Sequence, residues 1–332
     1  MIVQLFRRAP RWTGAGLVAL ALFIPGARIP LFQADPMVPI GTALAAEKLA
    51  VVTTTQDLAA ITAEIGGDRV NVESLARGYQ DPHFVDAKPS FLVKLRRADL
   101  FIEVGRDLEI GWAPGLLQSA RNPKILPGGA GFVDASLGVS LLELPTNVSR
   151  SEGDVHPLGN PHYWLDPENG LVIAANIRDA LSRISPADRA AFEKRYADFE
   201  AKLAQRLDGW KKAAAAMGLS GAKVVSYHRS WPYFAHAFGF DVVDFVEPKP
   251  GVPPSPKHTQ DLIASMKSRR VRLLIVEPYF DAKLPQQIAR ETGATLVVLP
   301  PSVGAAPQAT DYFALFDVQM DLLKRALSGG KG

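Results

Sequence analysis

Residues 185–217 read SPADRAAFEKRYADFEAKLAQRLDGWKKAAAAM. Ser185 has the chemistry of a helix cap, Pro186 suits a first helical position, and Asp188 stands three residues after the cap. Phe192, Tyr196, Phe199, Leu203, Leu207 and Trp210 then recur at steps of three and four, giving one apolar stripe. Gly209 is the only strong breaker before Met217. A helix of about 32 residues spans roughly 48 Å. That length fits an element running the length of a bilobed protein, or a long surface helix on one domain.

Alternating strands and helices flank this stretch on both sides. Before it, Lys48 to Thr54 reads as a buried strand, Leu58 to Ile65 as a helix ended by Gly66-Gly67, and Val70 to Leu75 as a strand. Pro89 to Ala98 reads as a helix and Asp99 to Val104 as a strand. After it, Ala222 to Tyr227, Asp241 to Phe245, Arg272 to Val276 and Thr295 to Leu299 read as strands. Trp231 to Phe238, Thr259 to Lys267, Leu284 to Thr292 and Asp311 to Leu327 read as helices. Strands separated by helical crossovers predict parallel sheets covered on both faces. The expected class is therefore α/β: two lobes with parallel β-sheets flanked by helices, joined by one long linker helix. The expected divisions are 47–184, 185–218 and 219–332.

Residues 1–46 are set apart. Arg7, Arg8 and Arg11 precede the apolar run Gly14 to Pro25, too short for a bilayer that needs about 20 apolar residues. A basic start and a short apolar core predict a signal peptide. Ala43-Leu44-Ala45-Ala46 supplies a small-residue cleavage signal before Glu47, and a cut near Ala27 is the alternative, as is an uncleaved anchor. The 332 residues carry a net charge of +3 and a pI of about 9.0. That excess lies in the first 46 residues; the remainder holds 33 basic and 33 acidic side chains. Basic residues elsewhere are scattered, with Arg269-Arg270 and Lys211-Lys212 as pairs, so no nucleic-acid partner is expected. There is no cysteine. Disulfides, thiolate metal ligands and lipidation at an N-terminal cysteine are excluded, and the expectation is a free, monomeric periplasmic protein.

Three of the six histidines stand at strand exits. His83 lies in Asp81-Pro82-His83-Phe84, His162 in Asn160-Pro161-His162-Tyr163-Trp164-Leu165-Asp166-Pro167, and His228 directly after Lys223 to Tyr227. Ligand sites of open α/β sheets gather beyond the carboxyl ends of the strands. Imidazoles suit borderline cations such as zinc, and three with a carboxylate or water make a tetrahedral set. Spacing alone does not join residues so far apart. His156 stands in a polar segment where it could help capture metal; His236 is expected in the core and His258 at the surface. Asp166 is read as supporting a ligand or capping a helix.

These motifs carry a family resemblance. Asp81-Pro82-His83 with Lys88-Pro89-Ser90, the segment Asn160 to Pro167, and Ser226-Tyr227-His228 with Tyr233-Phe234-Ala235 resemble, in order, the three ligand loops of periplasmic zinc/manganese-binding proteins of ABC importers, the class with a rigid linking helix. Glu247 to Gly251 and Val276-Glu277-Pro278 are further matching landmarks. The resemblance spans essentially the whole chain after the leader. It implies two lobes with one metal ion in the cleft between them, His83 and His162 supplied by the first lobe and His228 by the second, and delivery to a membrane permease. A histidine at the third position usually accompanies zinc and a carboxylate manganese. Many members place an aspartate ligand after the strand matching Thr295 to Leu299, where this chain has Pro300-Pro301-Ser302. Glu277, or a water, is then the candidate fourth ligand. The expected cargo is Zn²⁺, with Mn²⁺ or iron as the alternative, and affinity is expected to fall below about pH 6.5 as imidazoles protonate. A secreted zinc hydrolase and an adhesin-like role are competing readings. No H-E-x-x-H or G-x-S-x-G motif occurs, and catalysis is not expected.

Overall fold

A computed structural model describes residues 47–144 and 156–329. The leader and its cleavage signal lie outside the described residues, as do the positions just before His156. Among the described residues no helix is long and apolar enough to cross a membrane.

The first half begins with β1 (Leu49–Thr53), α1 (Gln56–Gly66), β2 (Val70–Ser74), α2 (Pro89–Arg97) and β3 (Leu100–Glu103). It ends with α3 (Ala113–Ala120), β4 (Phe132–Asp134) and α4 (Pro167–Ile184). The long helix α5 (Arg189–Ala216) follows. The second half holds β5 (Lys223–Ser226), α6 (Pro232–Phe238), β6 (Asp241–Phe245), α7 (Pro256–Arg269), β7 (Leu273–Val276), α8 (Lys283–Thr292), β8 (Thr295–Val298) and α9 (Tyr312–Gly329). Each half builds one four-stranded sheet, in the orders β2-β1-β3-β4 and β6-β5-β7-β8. All the strand pairs in both are parallel. The two-lobe α/β architecture with a linking helix is as the alternation predicts.

Side chains of a strand point alternately to its two faces, and both faces of these sheets are apolar. Val51, Leu100 and Ile102 turn to one side of the first sheet, Val52 and Phe101 to the other. Val224, Leu273 and Ile275 face opposite to Val225 and Leu274 in the second. The inner faces share one contiguous core with Phe192, Phe199, Leu203 and Trp210 of α5 and Phe313 and Phe316 of α9. The apolar stripe of α5 is buried as its spacing predicts, and it seals both lobes onto a common interior.

Two expectations are corrected, and some elements went unread. The long helix starts later, because Pro186–Asp188 forms a 3-10 turn. Ser185 caps no backbone group there; its hydroxyl donates to Asp188 Oδ2 at 2.6 Å, and Asp188 pairs with Arg69 at 2.9 Å. The cap residues anchor the turn to the first lobe instead. His236 is exposed on α6, with Nδ1 3.3 Å from Asp166 Oδ2, because the apolar side of α6 is formed by Tyr233, Phe234 and Phe238. Finally, α3, β4 and α4 are elements that the alternation did not reveal. Asp166 opens α4 as its N-cap, accepting from the Glu168 N–H at 2.9 Å, one of the two roles read for it.

Candidate metal centre

The three histidines singled out in the sequence come together. Among the described residues, His83, His162 and His228 each offer one ring nitrogen, all within 4.8 Å of one another. Their ring centroids lie 5.2 to 5.4 Å apart. The loop holding His83 leaves the carboxyl end of β2, and His228 lies two residues beyond β5. The site therefore sits where parallel strands end, with both lobes contributing.

Two of the rings are aimed by one device used twice. In Asp81-Pro82-His83 the aspartate Oδ1 accepts from the backbone N–H of His83 at 3.0 Å and from its ring Nδ1 at 2.6 Å. In Asn160-Pro161-His162 the amide Oδ1 accepts from the His162 N–H and from its Nδ1, both at 2.9 Å. The intervening proline fixes the turn. With Nδ1 occupied, Nε2 is the nitrogen left to bind. Nε2 of His162 is buried with no partner, a donor pair held ready in the interior, since buried polar atoms are ordinarily satisfied. For His228 the orienting group comes from elsewhere: Glu247, buried, accepts from Nδ1 at 2.7 Å. Orienting groups of this kind fix the tautomer and raise the basicity of a ligating imidazole.

Asn160 also ties the two lobes at the site. Its Nδ2 donates to the carbonyl of Arg229, next to His228, at 2.8 Å. Tyr233 donates to the Asn160 carbonyl at 3.1 Å. Below, Trp164 donates from Nε1 to the Pro301 carbonyl at 2.9 Å, and Tyr312 donates to the Trp164 carbonyl at 2.7 Å. The Trp164 ring lies 5.3 Å from that of His162.

The electrostatics favour neutral rings at His162 and His156. Burial, reinforced by the nearness of His83 and His228, holds His162 well below the usual imidazole range. The same causes in the same order lower His156 to about 3. Burial works against Asp81, yet the hydrogen bonds and charge of His83 keep its carboxyl below the ordinary value. His162 thus stays unprotonated well below the pH 6.5 at which a free imidazole takes up a proton.

Glu277 falls outside the group within 4.8 Å. It is fully buried just after β7; Oε1 accepts from the Trp231 indole at 2.9 Å, and Oε2 has no partner. Burial pushes its carboxyl up to about 8. The structure also brings His156, read in the sequence as able to help capture metal, to the site, its Nε2 3.1 Å from Nε2 of His83. The orienting roles of Glu247 and Asn160 were missed. Asn160 was legible, since Asx-Pro-His occurs twice in the sequence; Glu247 was not, because it reaches His228 only through the pairing of β6 with β5.

Comparison with known proteins shows the family. The family model described as "Zinc-uptake complex component A periplasmic" (ZnuA) matches residues 51–326. The chain belongs to the ZnuA family. Among curated relatives of this ZnuA-family chain, the manganese ABC transporter substrate-binding lipoprotein PsaA of Streptococcus pneumoniae is 28% identical over 249 residues, covering 74% of this chain and 77% of PsaA. The zinc-binding lipoprotein AdcA of Streptococcus pneumoniae serotype 4 (strain ATCC BAA-334 / TIGR4) is 27% identical over 296 residues, covering 84% of this chain and 56% of AdcA. A crystal structure of ZnuA superposes with a TM-score of 0.69 at 24% identity, covering 83% of this chain and 98% of that one. A Mn-bound mutant of the periplasmic metal-binding protein from candidatus liberibacter asiaticus gives 0.70 at 21%, covering 84% and 100%.

Proposed function

We propose that this chain is the periplasmic zinc-binding component of an ABC importer, without catalytic activity, and that it captures the ion between its lobes and hands it to a membrane permease. The observation that carries this reading is the convergence of His83, His162 and His228, from both lobes, with the far nitrogen of each ring held by Asp81, Asn160 or Glu247. Membership of the ZnuA family supports the same reading.

Capture follows from the donors. Each ring presents one nitrogen to the cleft, and three such nitrogens can replace the waters of an incoming cation. Imidazole donors suit Zn²⁺ better than Mn²⁺, which prefers oxygen. A competition titration of purified, metal-stripped protein with Zn²⁺ and Mn²⁺ tests this. One ion per chain is expected, Zn²⁺ tighter than Mn²⁺, with affinity at least about tenfold weaker in His228→Ala. Unchanged zinc stoichiometry and affinity in that variant would sink the assignment.

A further inference from the structure

We propose that His156 is the fourth ligand, so that the captured ion rests in an all-imidazole set of His83, His156, His162 and His228. This deepens the metal-capture reading above and rests on it. The Nε2 atoms of His156 and His83 are 3.1 Å apart, and the two rings 5.1 Å between centroids. Two nitrogens bound to one tetrahedral zinc at about 2.0–2.1 Å lie roughly 3.4 Å from each other. The pair is therefore already spaced, to within a few tenths of an ångström, like two corners of one coordination tetrahedron.

The carboxylates near the site are each already held through one oxygen. The Asp81 and Glu247 carboxylates hold the far nitrogens of His83 and His228. Glu277 is fixed by Trp231 and stands outside the converging group. After β8 the chain offers Pro300 and Pro301, and the Ser302 hydroxyl donates to Asp57 on α1. His156 is the imidazole that remains, and its position is prepared. Its carbonyl accepts from the Gly159 N–H at 3.1 Å, a turn that leads directly into Asn160-Pro161-His162. The backbone of Arg106 lies close to its ring; Arg106 is the midpoint of Gly105, Arg106 and Asp107, three successive residues at φ 78°, 55° and 63°. Left-handed backbone at non-glycine residues is costly and clusters at functional sites. Without an ion, His156 shares a hydrogen bond with His83; with one, both nitrogens turn their lone pairs to the metal. His156 lies outside the group within 4.8 Å, so its ring swings a short way toward His162 and His228 on loading. Four neutral nitrogen donors and no carboxylate would also favour Zn²⁺ over Mn²⁺.

X-ray absorption at the zinc edge of the loaded full-length protein counts imidazoles directly and needs no variant. Four are expected, falling to three in His156→Ala. Zinc affinity of that variant is expected to drop at least about tenfold, as the loss of even an orienting partner costs about 10–100-fold, while Glu277→Gln binds zinc as the parent does. Three imidazoles in the parent, or unchanged or tighter zinc binding by His156→Ala, overturns the proposal; tighter binding would make His156 a plug rather than a ligand. Loss of zinc in Glu277→Gln but not in His156→Ala overturns it in favour of Glu277. If His228→Ala keeps parental affinity, the capture reading itself fails, which separates the two.

Discussion

His83 and His162 are held by the same tripeptide, an Asx side chain gripping both the backbone and the ring of the histidine two residues on. That device is written in consecutive residues and so was open to a sequence reading, although both histidines were singled out by their place at strand exits and by the family motifs. His228 has no such local partner. Its orienting carboxylate stands nineteen residues on, delivered by the pairing of Ser226 with Phe245 and the Glu247 N–H bond to the Tyr227 carbonyl. No sequence pattern encodes that meeting. Its contribution is measurable: Glu247→Ala leaves the His228 ring without its orienting acceptor, and zinc affinity should fall by about 10–100-fold with the fold intact by circular dichroism. Parental affinity would mean that the His228 ring is fixed by something other than Glu247.

At the scale of elements, periodicity served α5 well and α4 poorly. The stripe of α5 is long and aromatic, so its period stands out. The sequence of α4 mixes Asn169, Gly170 and Asn176 into the apolar run, and its packing depends on a neighbour 142 positions away: a Cβ on Gly170 would come within 2.6 Å of the Tyr312 ring. Gly209 in α5 is the opposite case, with nothing within 4 Å of an added Cβ. The same substitution should then have opposite signs. Gly209→Ala should raise stability by about 0.5–1 kcal/mol, the ordinary cost of a glycine inside a helix. Gly170→Ala should lower it by about 1–3 kcal/mol through overpacking, because Tyr312 is pinned to the Trp164 carbonyl. Chemical denaturation of the two variants checks both; a stabilised Gly170→Ala would refute the close-packing argument.

Across the whole molecule, the lobes are joined by more than α5. Asp57, at the start of α1 in the first lobe, is fully buried against the loop after β8 in the second. It accepts from the Ser302 hydroxyl and, at 2.9 Å, from the Val303 N–H. Burial raises its carboxyl to about 6, only partly offset by those two bonds. Its ordinary value in an unfolded chain is about 3.9, so between about pH 4 and 6 the folded protein holds a proton that the unfolded chain has released. Through this group stability is full at low pH and is lost as pH rises through about 6. Asp57→Asn, which mimics the protonated form, should therefore gain stability over the parent as pH rises from about 4 to 6 and level off above that in denaturant melts; a difference independent of pH would refute this. Neither this latch nor the shared interior was legible in the sequence, since each joins residues about 245 positions apart or unites surfaces of two sheets. The shared interior has a practical consequence. With a continuous core and several hydrogen bonds spanning the lobes, dyes attached to the two sheets would sense little movement when cargo arrives. The indole of Trp164, set beside the His162 ring, is the better observer: a built-in fluorophore at the point where the electric field changes.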